Sequence, residues 1–348
     1  MTRRFLLLFL LAAVSVALLK RNIIRHLFTG PQRKEGPRLA VSLDAQRSTV
    51  GIVKGDNPEF MVREAVRLVG GLDQFSLQGR SVLVKPNVVS YKANPSTTNP
   101  RVVAAVVKIL YEEGAGKVYV GDMSAAIRLR TLENMTRTGI REAAEREGAE
   151  VLAFEDHKWV EVPLTGARYI ERALVTEWIY KVDIVINLPV IKTHRSASYS
   201  ICLKNFIGCT HVRQRPYFID SDHWEELVAE FNLAYTPDLN IADGTTSMIE
   251  GGPWEGTGMD TGVVIAGSDR VAVDIVGLGL IRGAGQWRMV TEKAVWEQRQ
   301  IKRALELGIG KGPESIDLVA SGSGSDFEDL IGSIEEHTGL VVRSSASS

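Results

Sequence analysis

The chain has 348 residues, 45% hydrophobic and 24% charged, a composition that suits a globular protein with a sizeable core and excludes a wholly disordered chain. Its formal net charge of −1 is unevenly divided: residues 1–30 hold five basic residues and no acid, leaving thirty-six basic against forty-two acidic residues beyond them. A mildly acidic body without a basic block excludes nucleic acid as the main partner.

The first element is an apolar run of 15 residues, Phe5 to Leu19, between Arg3-Arg4 and Lys20-Arg21. At ~1.5 Å per helical residue it spans about 22 Å, short of a ~30 Å hydrocarbon core, which suits a short snorkelling anchor or a signal segment. The run continues past the small-residue site at Ser15-Val16-Ala17 and favours an uncleaved apolar helix. Residues 1–30 are therefore read as a membrane anchor or signal segment, with Thr2-Arg3-Arg4-Phe5-Leu6 also resembling a twin-arginine export signal. Basic residues flank both ends, so the side of the membrane stays open. Residues 31–48, with Gly36 and Pro37, read as a linker.

From Thr49 onward, short apolar runs alternate with helical patterns, which predicts an α/β fold with a mostly parallel sheet flanked by helices over residues 49–320. Strands are expected at 50–53, 81–84, 118–120, 151–154, 184–186, 239–242, 263–266 and 316–319. Helices are expected from Asn57-Pro58 to Gly70-Gly71 and at about 101–113, 132–147, 223–235, 271–281 and 291–307. Residues 321–348, rich in Ser and Gly, read as a flexible tail. The strands are continuously apolar, as in a parallel sheet buried on both faces, and such sheets gather ligands at the carboxyl ends of their strands.

The distinctive polar residues fall at those ends. Lys85 and Asn87 flank Pro86, which keeps the chain extended, and Asn187, Lys192 and His194 follow the strand at 184–186, with Lys204 beyond a Ser-rich turn. Lysine charge and a histidine titrating near neutrality are what proton transfer on a small anion requires. The reading makes His194 and Lys204 catalytic, His194 as general base, and gives Lys85, Asn87, Asn187 and Lys192 to substrate binding. A helix beginning near Tyr199 would aim its amino terminus at the same cleft. Asp122 and Asp243 end two further strands and are candidate ligands for a hard cation, against the ordinary alternative of turn formers. Thr98-Asn99-Pro100 reads as a helix cap, and Asp269 with Asp274 bracket another helix start. Nucleotide-binding glycine loops and the zincin and serine-hydrolase motifs are missing. Cys202 and Cys209, the two cysteines, read as small buried apolar residues.

Taken in order, Lys85-Pro86-Asn87, Thr98-Asn99-Pro100, Gly121-Asp122, Asn187-Leu188-Pro189, Lys192-Thr193-His194, Lys204-Asn205 with Gly208, Asp243-Gly244 and Ala266 through Asp274 resemble the domain-of-unknown-function 362 family. The resemblance covers about Thr49 to Ala320 and implies a fold more than a reaction. Many members of that family carry a ferredoxin-like cysteine-rich module. Two cysteines build neither a disulfide framework nor an iron–sulfur cluster from this chain alone, so electron transfer would need a partner protein that supplies the clusters. The spacing of His194 and Lys204 is also similar to the cofactor site of the lactate racemase family, which implies a nickel-pincer nucleotide held by the lysine. The functional expectation is a membrane-tethered enzyme acting on a small anionic molecule. The alternative is a membrane-tethered binding or assembly protein whose cleft holds a ligand or partner segment without turnover.

Overall fold

The computed structural model describes residues 30–41, 46–128 and 130–345. The apolar run at 5–19 lies outside the described residues, among which no helix is long and apolar enough to cross a membrane. The strands in chain order are β1 (Arg33–Lys34), β2 (Ser48–Lys54), β3 (Ser81–Pro86), β4 (Lys117–Asp122), β5 (Glu150–Ala153), β6 (Trp159–Pro163), β7 (Arg172–Thr176), β8 (Ile184–Leu188), β9 (Val190–His194), β10 (Ser198–Ser200), β11 (Leu239–Gly251), β12 (Gly256–Met259), β13 (Val263–Gly267), β14 (Ile316–Ser321) and β15 (Val342–Ser344). The helices that position the site or cover the sheet are α1 (Pro58–Leu68), α2 (Pro100–Glu112), α3 (Thr131–Arg137), α4 (Ile140–Arg146), α5 (Cys202–Asn205), α6 (Trp224–Phe231), α7 (Arg270–Ala284), α8 (Arg299–Glu306) and α9 (Ser325–Thr338).

The main sheet runs β15-β14-β2-β13-β11-β8-β3-β4-β5, and β13 is the strand that runs against both of its neighbours. The other neighbours along this path are parallel, so the mostly parallel α/β expectation describes the chain. One face packs on α1 and α2 through Met61, Val62, Val103 and Val106, and the other on α7 through Val273, Val276 and Leu280. With both faces covered, β3 and β8 bury every interior position, which is why their sequences are continuously apolar. A small separate sheet joins β1, β6 and β7.

The helix starts follow the capping rules. Asn57 accepts hydrogen bonds from Glu59 and Phe60 ahead of α1, and Asn99 accepts one from Arg101 ahead of α2, each with proline at the first helical position. The helix expected over 132–147 is two helices, because Gly139 takes φ +80° and breaks it between α3 and α4.

Three expectations are corrected. The tail after Ser321 holds α9, which lays Phe327 and Ile334 inward, while β15 adds a strand beside β14. Gly279 on α7 lets α9 approach closely, since a Cβ there would lie 2.9 Å from Thr338 Cγ2. The Gly and Ser content around residues 322–325 masks the helical periodicity that follows. The linker is bound rather than free: Arg33 and Lys34 pair with Val160 and Glu161, and Arg38 makes a buried ion pair with Asp238 at 2.8 Å. Finally, the Ser-rich turn after His194 is a β-hairpin, with β9 and β10 antiparallel, and the helix bearing Lys204 begins at Cys202 rather than Tyr199.

Candidate functional site

Strands β3, β4, β8 and β11 run parallel, so their carboxyl ends leave the sheet on one side. Lys85 pairs in register with Asn187, and Asn187 with Asn240, giving a polar row across β3, β8 and β11, while Asp122 closes β4 beside it. Above this row lies a cavity of about 340 Å³ lined by residues from the ends of β3, β4 and β9, from α5, from segment 207–217 and from the loop between β11 and β12. His194 and Lys204 both line it, together with Asn87, Asp122 and Lys192. Lys85 and Asn187 lie beneath it, and Asp243 stands apart.

The floor is closely tied together. The Lys85 ammonium donates to the Pro86 carbonyl at 2.8 Å and to Asn205 Oδ1 at 3.0 Å and forms an ion pair with Asp122 Oδ1 at 2.6 Å, an oxygen without a hydrogen-bond partner of its own. Lys192 donates to Asn87 Oδ1 at 2.5 Å, to the Ser96 carbonyl at 2.5 Å and to the Pro253 carbonyl at 3.5 Å. Asn87 and Asn187 each share a bond with Asn205, at 3.1 and 2.8 Å, and Asn187 donates to Asn240 at 2.9 Å. These side chains form one buried network: Lys192 spends its protons on protein oxygens, and Lys85 is engaged with Asp122, Pro86 and Asn205 beneath the cavity. Burial and the nearby Lys204 and Lys85 charges hold the Lys192 ammonium well below the ordinary lysine range.

The carboxylates are equally committed. Asp122 takes Lys85 on one oxygen and the Val88 N–H on the other at 2.7 Å. Asp243 accepts from the Asn99 backbone at 2.7 Å, from Asn94 at 3.0 Å and from Thr245, so it anchors the start of α2 instead of facing the cavity. Among the described residues no three His, Cys, Asp or Glu side chains gather as a metal site.

His194 is held in one orientation. Its Nδ1 accepts hydrogen bonds from the backbone N–H groups of Ser196 at 3.0 Å and Ala197 at 3.2 Å. Burial, then the charges of Lys204 and Lys192, push its pKa well below the usual histidine value, so the ring is neutral near pH 7. A neutral ring whose Nδ1 accepts carries its proton on Nε2, and it presents the cavity with a donor. This geometry opposes the general-base role expected of His194. It equally opposes the proton-accepting role that the similarity to the lactate racemase family would give His194.

Lys204 differs from the other two lysines. It lines the cavity and makes no hydrogen bond or ion pair to any described residue, and burial, with Arg215 and Lys85 nearby, lowers its ammonium to about 7 against the pull of Asp122. The amino end of α5 is closed by Asp274, whose oxygens accept from the Cys202 and Leu203 N–H groups at 2.6 and 3.2 Å, so the expected helix-start anion site is occupied by a side chain. Cys202 and Cys209 are free, buried thiols.

Sequence reasoning missed Arg215, and it noted Gly208 in the family motif without giving it a place at the site. Arg215 donates to the carbonyls of Ile207, Met123 and Ser124, lines the cavity, and has no carboxylate in ion-pair reach among the described residues. Gly208 packs its α-carbon on the Lys85–Asp122 pair, where a Cβ would overlap Asp122 Oδ1 and lie 2.6 Å from Lys85 Nζ. The mouth has an apolar side, where Ile127 is 69% exposed and Tyr217 40% and Tyr217 stacks on Trp224 at 5.6 Å, and a polar side with the exposed Arg195 and Ser196.

An α/β sheet with its polar cavity at the carboxyl ends of parallel strands defines the class of the protein. The model of the family described as a domain of unknown function, DUF362, matches residues 82–279, and the chain belongs to that family. The chain is 27% identical over 223 residues to a thylakoid-associated protein of Synechocystis sp., a match covering 62% of this chain and 67% of that one. A crystal structure of a Thermotoga maritima protein aligns with a TM-score of 0.40 and 13% identity, covering 83% of this chain and 93% of the other.

Proposed function

We propose that the protein is an enzyme that draws a small anionic substrate into the cavity and moves a proton on it. Lys204 is the group that changes protonation state, and the His194 Nε2–H donates to a substrate oxygen. The observation that carries this reading is the contrast among the lysines: Lys192 donates three hydrogen bonds, Lys85 two with an ion pair to Asp122, and Lys204, on the same cavity, has neither a hydrogen bond nor an ion pair to any described residue. Asp122 is the carboxylate among the described lining residues, and it is already paired with Lys85, so Lys192, Lys204 and Arg215 leave the cavity with excess positive charge. An amine titrating near neutrality suits general acid–base work.

The test titrates the purified full-length chain with small carboxylates, following tryptophan emission from Trp224 and Trp254, both in the cavity lining. A parallel proton NMR run in D2O follows exchange of the carboxylate's α-protons. Saturable binding with exchange that Lys204→Gln abolishes supports the enzyme. Saturable binding without exchange for any carboxylate supports the ligand-binding alternative, and absence of binding removes both.

The reading also places the protein at a membrane. It rests on the apolar segment at residues 5–19 and on the name of the Synechocystis relative, which is called thylakoid-associated. The chain made in cells without residues 1–29 should leave the membrane fraction; if it still sediments there, the segment is not the tether.

A further inference from the structure

We propose that Lys204 acts as a nucleophile that captures the carbonyl group of a small oxo acid as an imine, with the His194 Nε2–H donating to the carbonyl oxygen. The inference rests on the anionic-substrate reading above and names the substrate class for the same site.

Three features of the cavity converge on it. Lys204 is a cavity-lining amine without a bonding partner among the described residues, unlike Lys192 in the same wall, whose three protons all meet protein oxygens. Its charged neighbours are Lys85, Lys192 and Arg215 against the single carboxylate of Asp122, and Asp122 already pairs with Lys85. One more positive charge there is opposed, which favours the free amine, the nucleophilic form. The third feature is His194. Two backbone N–H groups fix its ring, so the proton it offers is directional, and a neutral donor polarises a carbonyl oxygen without adding charge to a cationic cavity. A carboxylate on the substrate answers the excess charge of Lys192 and Arg215. The apolar upper wall, with Val89, Met123 and Trp224, accepts a short hydrocarbon part.

The step balances without a further reagent. The Lys204 lone pair forms a carbon–nitrogen bond as the carbonyl π pair moves to oxygen, and one proton passes from nitrogen to that oxygen, giving a carbinolamine. The nitrogen lone pair then forms the second carbon–nitrogen bond as the hydroxyl takes up a proton from solvent and leaves as water, and the product is a protonated imine, which returns that proton to solvent to give the imine. Nothing is oxidised or reduced.

The test incubates the detergent-solubilised full-length chain with pyruvate, 2-oxoglutarate or acetoacetate, adds sodium borohydride, and maps the reduced adduct by peptide mass spectrometry. The expected result is an adduct at Lys204 at least tenfold above any surface lysine. It should rise between pH 6 and 8 and be lost in both Lys204→Arg and Lys204→Gln, with circular dichroism confirming that each variant is folded. Lys204 unlabelled by all three acids overturns the proposal, as does label spread over exposed lysines such as Lys117 and Lys302. The carboxylate titration separates the two levels of inference. Saturable binding with no Lys204 adduct sinks the imine and leaves the anionic-substrate reading standing, whereas no binding and no adduct sinks both.

Discussion

Lys192 and Lys204 border the same cavity on neighbouring pieces of chain, β9 and α5, and the protein treats them in opposite ways. Lys192 is sealed into the floor by a side-chain amide and two backbone carbonyls, and Lys204 reaches the cavity without a partner. A buried polar network in which every proton is satisfied rigidifies a fold, and removing a member leaves groups unpaired. The unbonded amine adds nothing of that kind and carries a desolvation cost. The difference separates lysines that build the cavity from the one available to act in it, although all share a residue type and a strand-end location.

The largest test of this division falls on the floor. Lys85→Met leaves Asp122 as an uncompensated buried carboxylate and should lower unfolding free energy by about 3–5 kcal/mol in a urea titration. A loss below 1 kcal/mol would mean that the Lys85–Asp122 pair is solvated and that the floor is not a rigid element.

Gly208→Ala comes next. The added methyl has no space between Asp122 Oδ1 and Lys85 Nζ, and overpacking of this kind costs about 1–3 kcal/mol. Because the change sits beside the ion pair, it should also weaken binding of small carboxylates in the tryptophan titration. Unchanged stability would show that segment 206–209 moves aside freely, contrary to a fixed floor.

His194 allows a finer cut through paired substitutions. Asparagine can place its oxygen near the Nδ1 position and keep the Ser196 and Ala197 N–H groups satisfied while losing the Nε2 donor. Glutamine can place its NH2 near Nε2 while leaving those two N–H groups without an acceptor. His194→Asn should therefore keep stability within about 0.5 kcal/mol and lose turnover, and His194→Gln should cost about 1–2 kcal/mol and retain more of it. The reverse pattern, measured by urea unfolding and solvent exchange, would restore the base role to His194.

Much of this arrangement was legible before the fold was known, and the limits have physical causes. The continuously apolar runs at 81–84 and 184–186 mark strands buried on both faces, so the shared exit edge of Lys85, Asp122 and Asn187 follows from parallel pairing. Strand β9 was missed because Val190 and Ile191 supply just two apolar positions before Lys192, Thr193 and His194, its hairpin partner β10 is a three-residue Ser-Tyr-Ser strand, and its other partner, β11, lies far along the chain. The cationic, histidine-bearing character of the site could be read from residue types. Which lysine remains free could not, because the carbonyls that satisfy Lys192 come from Ser96 and Pro253, far away in sequence. Arg215 gave no local signal, since its place on the cavity depends on how residues 206–217 wrap over the ends of β3 and β4. Asn240 did leave one: an asparagine inside an otherwise apolar buried strand needs partners, and it finds them in Asn187 and in the Gly267 and Ser268 carbonyls.

The smallest expected effect concerns Lys204 itself and has the opposite sign to the floor variants. Its pKa falls from 10.5 to about 7 in the folded chain, first through burial and then through Arg215 and Lys85. Below pH 7 both folded and unfolded chains hold the proton, and the fold carries the full cost of the buried charge. Between about pH 7 and 10 the unfolded chain binds more protons than the folded one, so wild-type stability rises with pH across that window. Lys204→Met has no such group. It should be more stable than wild type near pH 6 by about 1 kcal/mol, roughly 2 °C in Tm after allowing for solvent at this partly exposed position, and the gap should close towards pH 10. Thermal melts of the two proteins at pH 6, 8 and 10 measure this directly. A gap that does not change with pH would show that Lys204 keeps an ordinary lysine pKa, and the distinction between the bonded floor and the available amine would then rest on geometry alone.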